Sequence, residues 1–213
     1  MNALYETYRP KRWADVKGQM AVVNQIRQLK KKGIGGRAFW ICGHSGTGKT
    51  TIGRLLAAEI ADDWFVEEYD SGEAFTLEVF ENIERNMHLY GGGKGGRAYI
   101  INEAHGLRVW MIRRLLGLLE RLPNHVVFVF TTTKAGQTGL FEQQLDAGPL
   151  LSRCVYLSLA NNSHVTRAFA RRAREIAKAE GLDGQSMQAY LHLAAECKNN
   201  MRQMLQKIEV GNI

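Results

Sequence analysis

Cysteine is scarce in this 213-residue chain, and its three copies, Cys42, Cys154 and Cys197, lie far apart. They form neither a disulfide framework nor the paired spacing of a zinc site, which points to a reducing compartment and so to the cytoplasm. No apolar run approaches the ~20 residues that a membrane-crossing helix needs, so no membrane partner is expected. The first ten residues are polar and carry no apolar leader. Acidic residues are outnumbered as well: 21 Asp and Glu stand against 28 Lys and Arg, for a formal net charge of +7. That balance favours a polyanionic partner such as nucleic acid. The remaining composition, 45% hydrophobic and 23% charged, is that of a soluble globular protein. The length suits one full domain and a smaller one.

What the chain does have is Gly43-His44-Ser45-Gly46-Thr47-Gly48-Lys49-Thr50, two glycines separated by four residues and followed by Lys and Thr. Ala38-Phe39-Trp40-Ile41-Cys42 ahead of it is an apolar run suited to a buried parallel strand. Residues 51–61 behind it set Ile52, Leu55, Leu56 and Ile60 at helical spacing. Strand, glycine-rich loop and helix make a phosphate cradle, because glycines let backbone N–H groups turn onto phosphate oxygens at a helix N-terminus. Lys49 is expected to reach the β- and γ-phosphates, and Thr50 to offer its hydroxyl to Mg²⁺.

Strand and helix patterns alternate through the first 160 residues, which predicts a three-layer α/β domain. Helices are expected at 19–32, 76–89 and 107–122, and strands at 64–70, 98–101, 126–130 and 155–159. In the third helix, Trp110, Met111, Leu115, Leu118, Leu119 and Leu122 are expected to face inward. Residues 90–97 hold five glycines in eight positions and read as a mobile loop. From Ser163 the pattern is helical only, at 165–179, 186–197 and 201–210. The boundary is therefore placed near Asn161, between a domain at 1–160 and a second at 161–213.

Hydrolysis needs a group to hold Mg²⁺ and a base to orient water, both at the end of a strand beside the cradle strand. Tyr99-Ile100-Ile101-Asn102-Glu103-Ala104-His105 ends an apolar strand in this way. Glu103 is the candidate general base. Asn102 stands where an aspartate would help coordinate the metal, and its uncharged amide predicts weaker metal binding or slower turnover. At the end of the next strand, Thr131 to Thr133 offer a hydroxyl for the γ-phosphate or the water.

These segments, with Tyr8-Arg9-Pro10-Lys11-Arg12-Trp13-Ala14-Asp15-Val16-Lys17-Gly18-Gln19 ahead of them and Leu151-Ser152-Arg153-Cys154 behind, resemble the AAA+ ATPase subunits of sliding-clamp loaders. The likeness is to the small subunits of replication factor C and to the bacterial gamma/tau subunit. It implies a P-loop NTPase fold, a five-stranded parallel sheet between helices, followed by a small all-α lid. It implies ATP and Mg²⁺ as cofactors. Arg9, Pro10 and Val16 would line the adenine pocket. Gly43, His44, Ser45, Gly46, Thr47, Gly48, Lys49, Thr50 and Thr51 would hold the phosphates, with Thr50 and Asn102 at the metal. Thr133 falls on the first sensor position. Arg202, within Asn199-Asn200-Met201-Arg202-Gln203-Met204-Leu205, falls on the second, where it would touch the γ-phosphate of its own subunit. Arg153 would be a finger that reaches the ATP of the neighbouring subunit. A guanidinium delivered that way neutralises charge on the transferred phosphoryl group and ties hydrolysis to assembly.

The implied partners are other clamp-loader subunits or further copies of this chain, the sliding clamp, and primer-template DNA. Lys94, Arg97, Arg108, Arg113 and Arg114 are candidates for the DNA-facing surface. Besides Asn102, two features depart from the family. Residues 135–149 are longer than the usual connection, and the sequence ends at Ile213 where family members continue into a helical collar. The lack of zinc-binding cysteines after the cradle helix points toward phage, archaeal-like or divergent bacterial relatives. Two other readings remain open here: a nucleotide-binding switch or scaffold subunit with weak hydrolysis, and another AAA+ DNA-remodelling ATPase.

Overall fold

Five short strands, four of them largely apolar, pair into one sheet. In the computed structural model, which describes residues 3–133 and 147–212, they are β1 (Arg37–Cys42), β2 (Val66–Tyr69), β3 (Arg97–Ile101), β4 (Val126–Thr132) and β5 (Cys154–Ser158). Their spatial order is β2-β3-β4-β1-β5, and every neighbouring pair is parallel. The helices are α1 (Leu4–Thr7), α2 (Met20–Lys30), α3 (Lys49–Ala57), α4 (Leu77–Asn86), α5 (Val109–Glu120), α6 (Ala147–Ser152), α7 (Ser163–Ala179), α8 (Met187–Glu196) and α9 (Met201–Glu209).

A parallel sheet covered on both faces needs strands that are apolar throughout. β4 meets that need from Val126 to Phe130: Val126, Phe128 and Phe130 point into one core with Trp40, Tyr99 and Ile101. Val127 and Val129 point into the other with Phe39, Ile41 and Ile100. Phe80 and Ile83 of α4 and Met111, Ile112 and Leu115 of α5 close the first core. Val22 and Ile26 of α2 and Ile52 and Leu56 of α3 close the second.

After β5 the chain is helical. Asn162, Ser186 and Asn200 cap α7, α8 and α9, each accepting backbone N–H groups on its side-chain oxygen. Val165, Phe169, Tyr190, Met204 and Leu205 form a third core, and Leu4 of α1 joins it. The N-terminal segment is pinned there by two further bonds. The Leu4 N–H donates to Glu209 Oε1 at 2.8 Å, and the Tyr8 hydroxyl donates to Glu180 Oε1 at 2.6 Å. The stretch that follows, through Val16, thus runs from the helical unit back to Val23 of α2 and Leu55 of α3.

Two expectations are corrected here, and the glycine run gains a structural account. Trp110 is not inward: it is 40% exposed, whereas Met111, Ile112, Leu115 and Leu118 are buried. The buried stripe centres on Met111 and Leu115, and Trp110 lies about 100° round the helix from Met111. Trp64 is not in a strand. It occupies a 3₁₀ turn, Asp63–Phe65, and is 94% exposed, because β2 begins only at Val66. The glycine run is a hydrogen-bonded turn. Gly91 N–H donates to Gly95 O, Gly95 N–H to Gly92 O, Gly96 N–H to Ile60 O and Lys94 N–H to Asp62 Oδ2. Its glycines answer close packing, since a Cβ on Gly93 would lie 1.9 Å from Asp62 Oδ2 and one on Gly96 2.3 Å from Ile60 O. Of the segment 135–149, residues 135–146 lie outside the described residues.

Candidate functional site

β1 ends at Cys42 and α3 starts at Lys49, so residues 43–48 form the whole turn between strand and helix. Gly46 (φ +73°) and Gly48 (φ +106°) adopt left-handed backbone that only glycine enters at no steric cost. Lys49 is buried beneath this loop, and its ammonium donates to Gly43 O at 2.9 Å and His44 O at 3.0 Å. Burial pushes its pKa down, with Glu103 opposing the shift. The Thr47 hydroxyl donates to His44 O at 2.7 Å and tightens the same turn.

The helical unit reaches this loop directly. Met201 N–H donates to Gly46 O at 3.2 Å, and a Cβ on Gly46 would lie 1.9 Å from Asn200 Oδ1 and 2.8 Å from Asn200 Cα. At Gly48 nothing lies within 4 Å of an added Cβ. Gly46→Ala is therefore expected to lower Tm by about 5 °C, strain and clash together. Gly48→Ala carries the backbone cost alone and should lower it less. Thermal unfolding of the two variants checks both the size and the order.

Behind the loop the strand ends form a linked set. Thr50 Oγ1 donates to Asn102 Oδ1 at 3.1 Å, and Thr131 Oγ1 donates to the same oxygen at 2.9 Å. Asn102 Nδ2 donates to Glu68 Oε1 at 2.8 Å, and Arg54 Nε donates to Glu68 Oε2 at 2.7 Å. Glu103 is one of three non-glycine residues with positive φ (+44°) among the described residues. Such backbone persists where the surroundings over-determine it, often at functional sites. Its carboxylate accepts from Thr133 Oγ1 at 3.1 Å and lies 3.3 Å from His105 Nδ1.

These elements wall one cleft, which holds about 1040 Å³ out to its open mouth. Ser45, Gly46, Thr47, Gly48, Lys49, Thr50, Thr51 and Glu103 line its polar end. Arg9, Pro10 and Val16 line it from the N-terminal segment, and Met201, Arg202 and Leu205 from α9. Arg9 is ion-paired with Glu6, and the Arg202 guanidinium lies 5.2 Å from the centre of the Tyr5 ring. Gly43 and His44 are not on the wall; their carbonyls lie under the loop and hold Lys49. Asn102 and Thr133 stand one layer back and reach the cleft through Thr50 and Glu103. Sequence reasoning missed Tyr5, Tyr8, Phe169, Ile176 and Arg172, which also line it. Only the fold places α1 and α7 beside the loop. It missed Glu68 too, for want of any motif.

Arg153 is not in this cleft. It follows α6 and precedes β5, whose Cys154 is in register with Ala38 at the start of β1. The loop leaves the other end of β1, so six residues of strand, about 20 Å, separate the two. Arg153 Nε donates to Glu120 Oε1 at 3.1 Å and Nη1 to Pro149 O at 2.9 Å. It therefore faces away from its own chain's cleft. The five basic residues named as DNA-facing candidates lie on several elements. Lys94 and Arg97 lie at the start of β3, Arg108 beyond its end, and Arg113 and Arg114 along α5.

Among the described residues no group of three His, Cys, Asp or Glu is placed to hold a metal, and no helix is long and apolar enough to cross a membrane. Thr50 Oγ1 instead lines the phosphate end of the cleft, with Asn102 Oδ1 hydrogen-bonded 3.1 Å behind it. That set suits Mg²⁺, which keeps several waters and takes few protein ligands beside phosphate oxygens.

No protein-family model matches the chain. It is 30% identical over 179 residues to the tau subunit of DNA polymerase III of Escherichia coli, covering 73% of this chain and 26% of that one. It is 27% identical over 178 residues to the gamma subunit of DNA polymerase III of Buchnera aphidicola, covering 73% and 46%. The replication factor C small subunit of Picrophilus torridus is 29% identical over 188 residues, covering 86% of this chain and 56% of the relative. The chain thus spans between about a quarter and a little over half the length of these relatives. Among solved structures, RuvB of Thermotoga maritima superposes with a TM-score of 0.73 at 18% identity, over 95% of this chain and 64% of that one. The relatives are thus clamp-loader subunits of the kind the sequence resembles, and the fold is the one shared with RuvB, a five-stranded parallel sheet followed by helices.

Proposed function

We propose that this chain binds and hydrolyses ATP as a subunit of a clamp-loader-like assembly that acts on primer-template DNA in replication. The observation that carries the reading is the division of one site between two ends of the sheet. Cradle, base and second-sensor arginine surround one cleft, whereas Arg153 faces away from it. Residues 1–160 are the ATPase domain and 161–213 the lid, with ATP between them. Arg9, Pro10 and Val16 hold the adenine end. The loop N–H groups and Lys49 hold the triphosphate, and Arg202 meets the γ-phosphate from the lid. Thr50 and Asn102 would hold Mg²⁺, which neutralises charge on the β- and γ-phosphates when bound. Glu103 orients the attacking water and takes its proton, with Thr133 holding the carboxylate in place. Arg153 completes the cleft of the next subunit. The partners are further copies of this chain or other clamp-loader subunits, the sliding clamp and DNA, in the reducing cytoplasm.

Asn102 supports a second reading, a switch subunit that binds ATP tightly and turns it over poorly. Steady-state hydrolysis and equilibrium ATP binding, each with and without primer-template DNA, separate the two. The first reading expects turnover that DNA stimulates; the second expects binding with no phosphate release. Both expect Lys49→Ala to weaken ATP binding by about 100-fold, since it removes charged hydrogen bonds to phosphate. ATP affinity unchanged by Lys49→Ala would overturn both.

A further inference from the structure

The side chain of Asn102 is oriented by the residue on its far side. Glu68 can only accept hydrogen bonds as a carboxylate, so the atom 2.8 Å from it must be the amide nitrogen of Asn102. The amide oxygen is thereby turned the other way, onto the hydroxyls of Thr50 and Thr131 at 3.1 and 2.9 Å. Glu68 is held in turn by Arg54, which stands one helical turn after Thr50 on α3. The circuit runs from α3 through β2 and the end of β3 to β4. Asn102 is buried, at 8% exposure.

We propose that Glu68 is a positioning residue for the metal end of the cleft, and that the Glu68–Asn102 pair replaces an aspartate at position 102. The site's carboxylate has moved to β2, and an amide relays it to Thr50. The inference rests on the Mg²⁺-ATP reading only for its bearing on the metal; the pairing itself belongs to the apo protein. An aspartate at 102 would set one carboxylate oxygen against another across 2.8 Å. Asn102 is therefore the residue that Glu68 requires, and Asn102→Asp should harm this chain unless Glu68 changes with it.

The test is a double-mutant cycle on the full chain: the unaltered protein, Asn102→Asp, Glu68→Gln, and the two together. Thermal unfolding without nucleotide or metal reads the pairing. Asn102→Asp should lower Tm by about 5 °C in the unaltered background and by no more than about 1 °C in the Glu68→Gln background, where the new amide donates to the new carboxylate. Equal shifts in both backgrounds would overturn the pairing. Electron paramagnetic resonance of Mn²⁺ with ATP reads the bearing on the metal. Glu68→Gln alone should weaken Mn²⁺-ATP about tenfold, and adding Asn102→Asp should recover it. A coupled Tm cycle with the same Mn²⁺-ATP affinity in all four proteins would overturn the metal role and leave a structural lock. A coupled cycle with no nucleotide bound by the unaltered protein would instead sink the ATPase reading.

Discussion

Arg153→Ala is expected to cut ATP turnover by about 10³-fold, the effect of removing a finger that neutralises charge on the transferred phosphoryl group. ATP affinity should stay within about twofold, because an interaction made only in the transition state leaves ground-state binding alone. The geometry makes the separation clean. Arg153 lies just before β5, beyond reach of its own cleft, and among the described residues its side chain bonds to Glu120 and the Pro149 carbonyl. Its side chain is 34% exposed. Loss of so exposed an ion pair costs at most about 1 kcal/mol, so the variant should fold. Single-turnover hydrolysis beside equilibrium ATP binding checks the claim. Parallel losses of binding and turnover would place Arg153 in its own subunit's cleft, against the register of β5 on β1.

Glu103→Gln is expected to lower turnover by about 10²–10³-fold, the usual worth of a positioned general base, with ATP still bound. Gln keeps an oxygen to accept from Thr133, so the left-handed turn that aims position 103 into the cleft should survive. What disappears is the proton acceptor. ATP binding by calorimetry and phosphate release by a coupled assay separate the two effects. Retained turnover in Glu103→Gln would move the base elsewhere, with His105, 3.3 Å from the Glu103 carboxylate, the next group to replace.

The sequence made the cradle legible because its chemistry is local. Glycines, Lys49 and Thr50 stand in one run, with an apolar strand before and an amphipathic helix after. The strands were legible for the same reason: β4 is buried at every position and apolar from Val126 to Phe130, as a strand covered on both faces should be. What escaped depends on contacts between distant segments. Glu68 meets Asn102 across 34 positions with no spacing rule to announce it. Tyr5 and Tyr8 come to the cleft because Leu4 joins the core of the helical unit. The glycines at 91–96 look like a flexible tract in composition, but at Gly93 and Gly96 the close approach of Asp62 and Ile60 calls for glycine. Trp110 went astray by one helical position, which is enough to turn a side chain about 100°. That Arg153 points away from its own cleft followed from strand register and from nothing in the motif around it.

The most direct test of the composite site is to mix two inactive proteins. Lys49→Ala spoils the cleft and leaves Arg153 intact; Arg153→Ala does the reverse. With primer-template DNA present, each alone should be silent. An equal mixture should recover about a quarter of the unaltered turnover, because in a head-to-tail assembly one interface in four joins an intact cleft to an intact finger. A mixture as silent as its components, from proteins shown to co-assemble, would contradict a site shared between subunits.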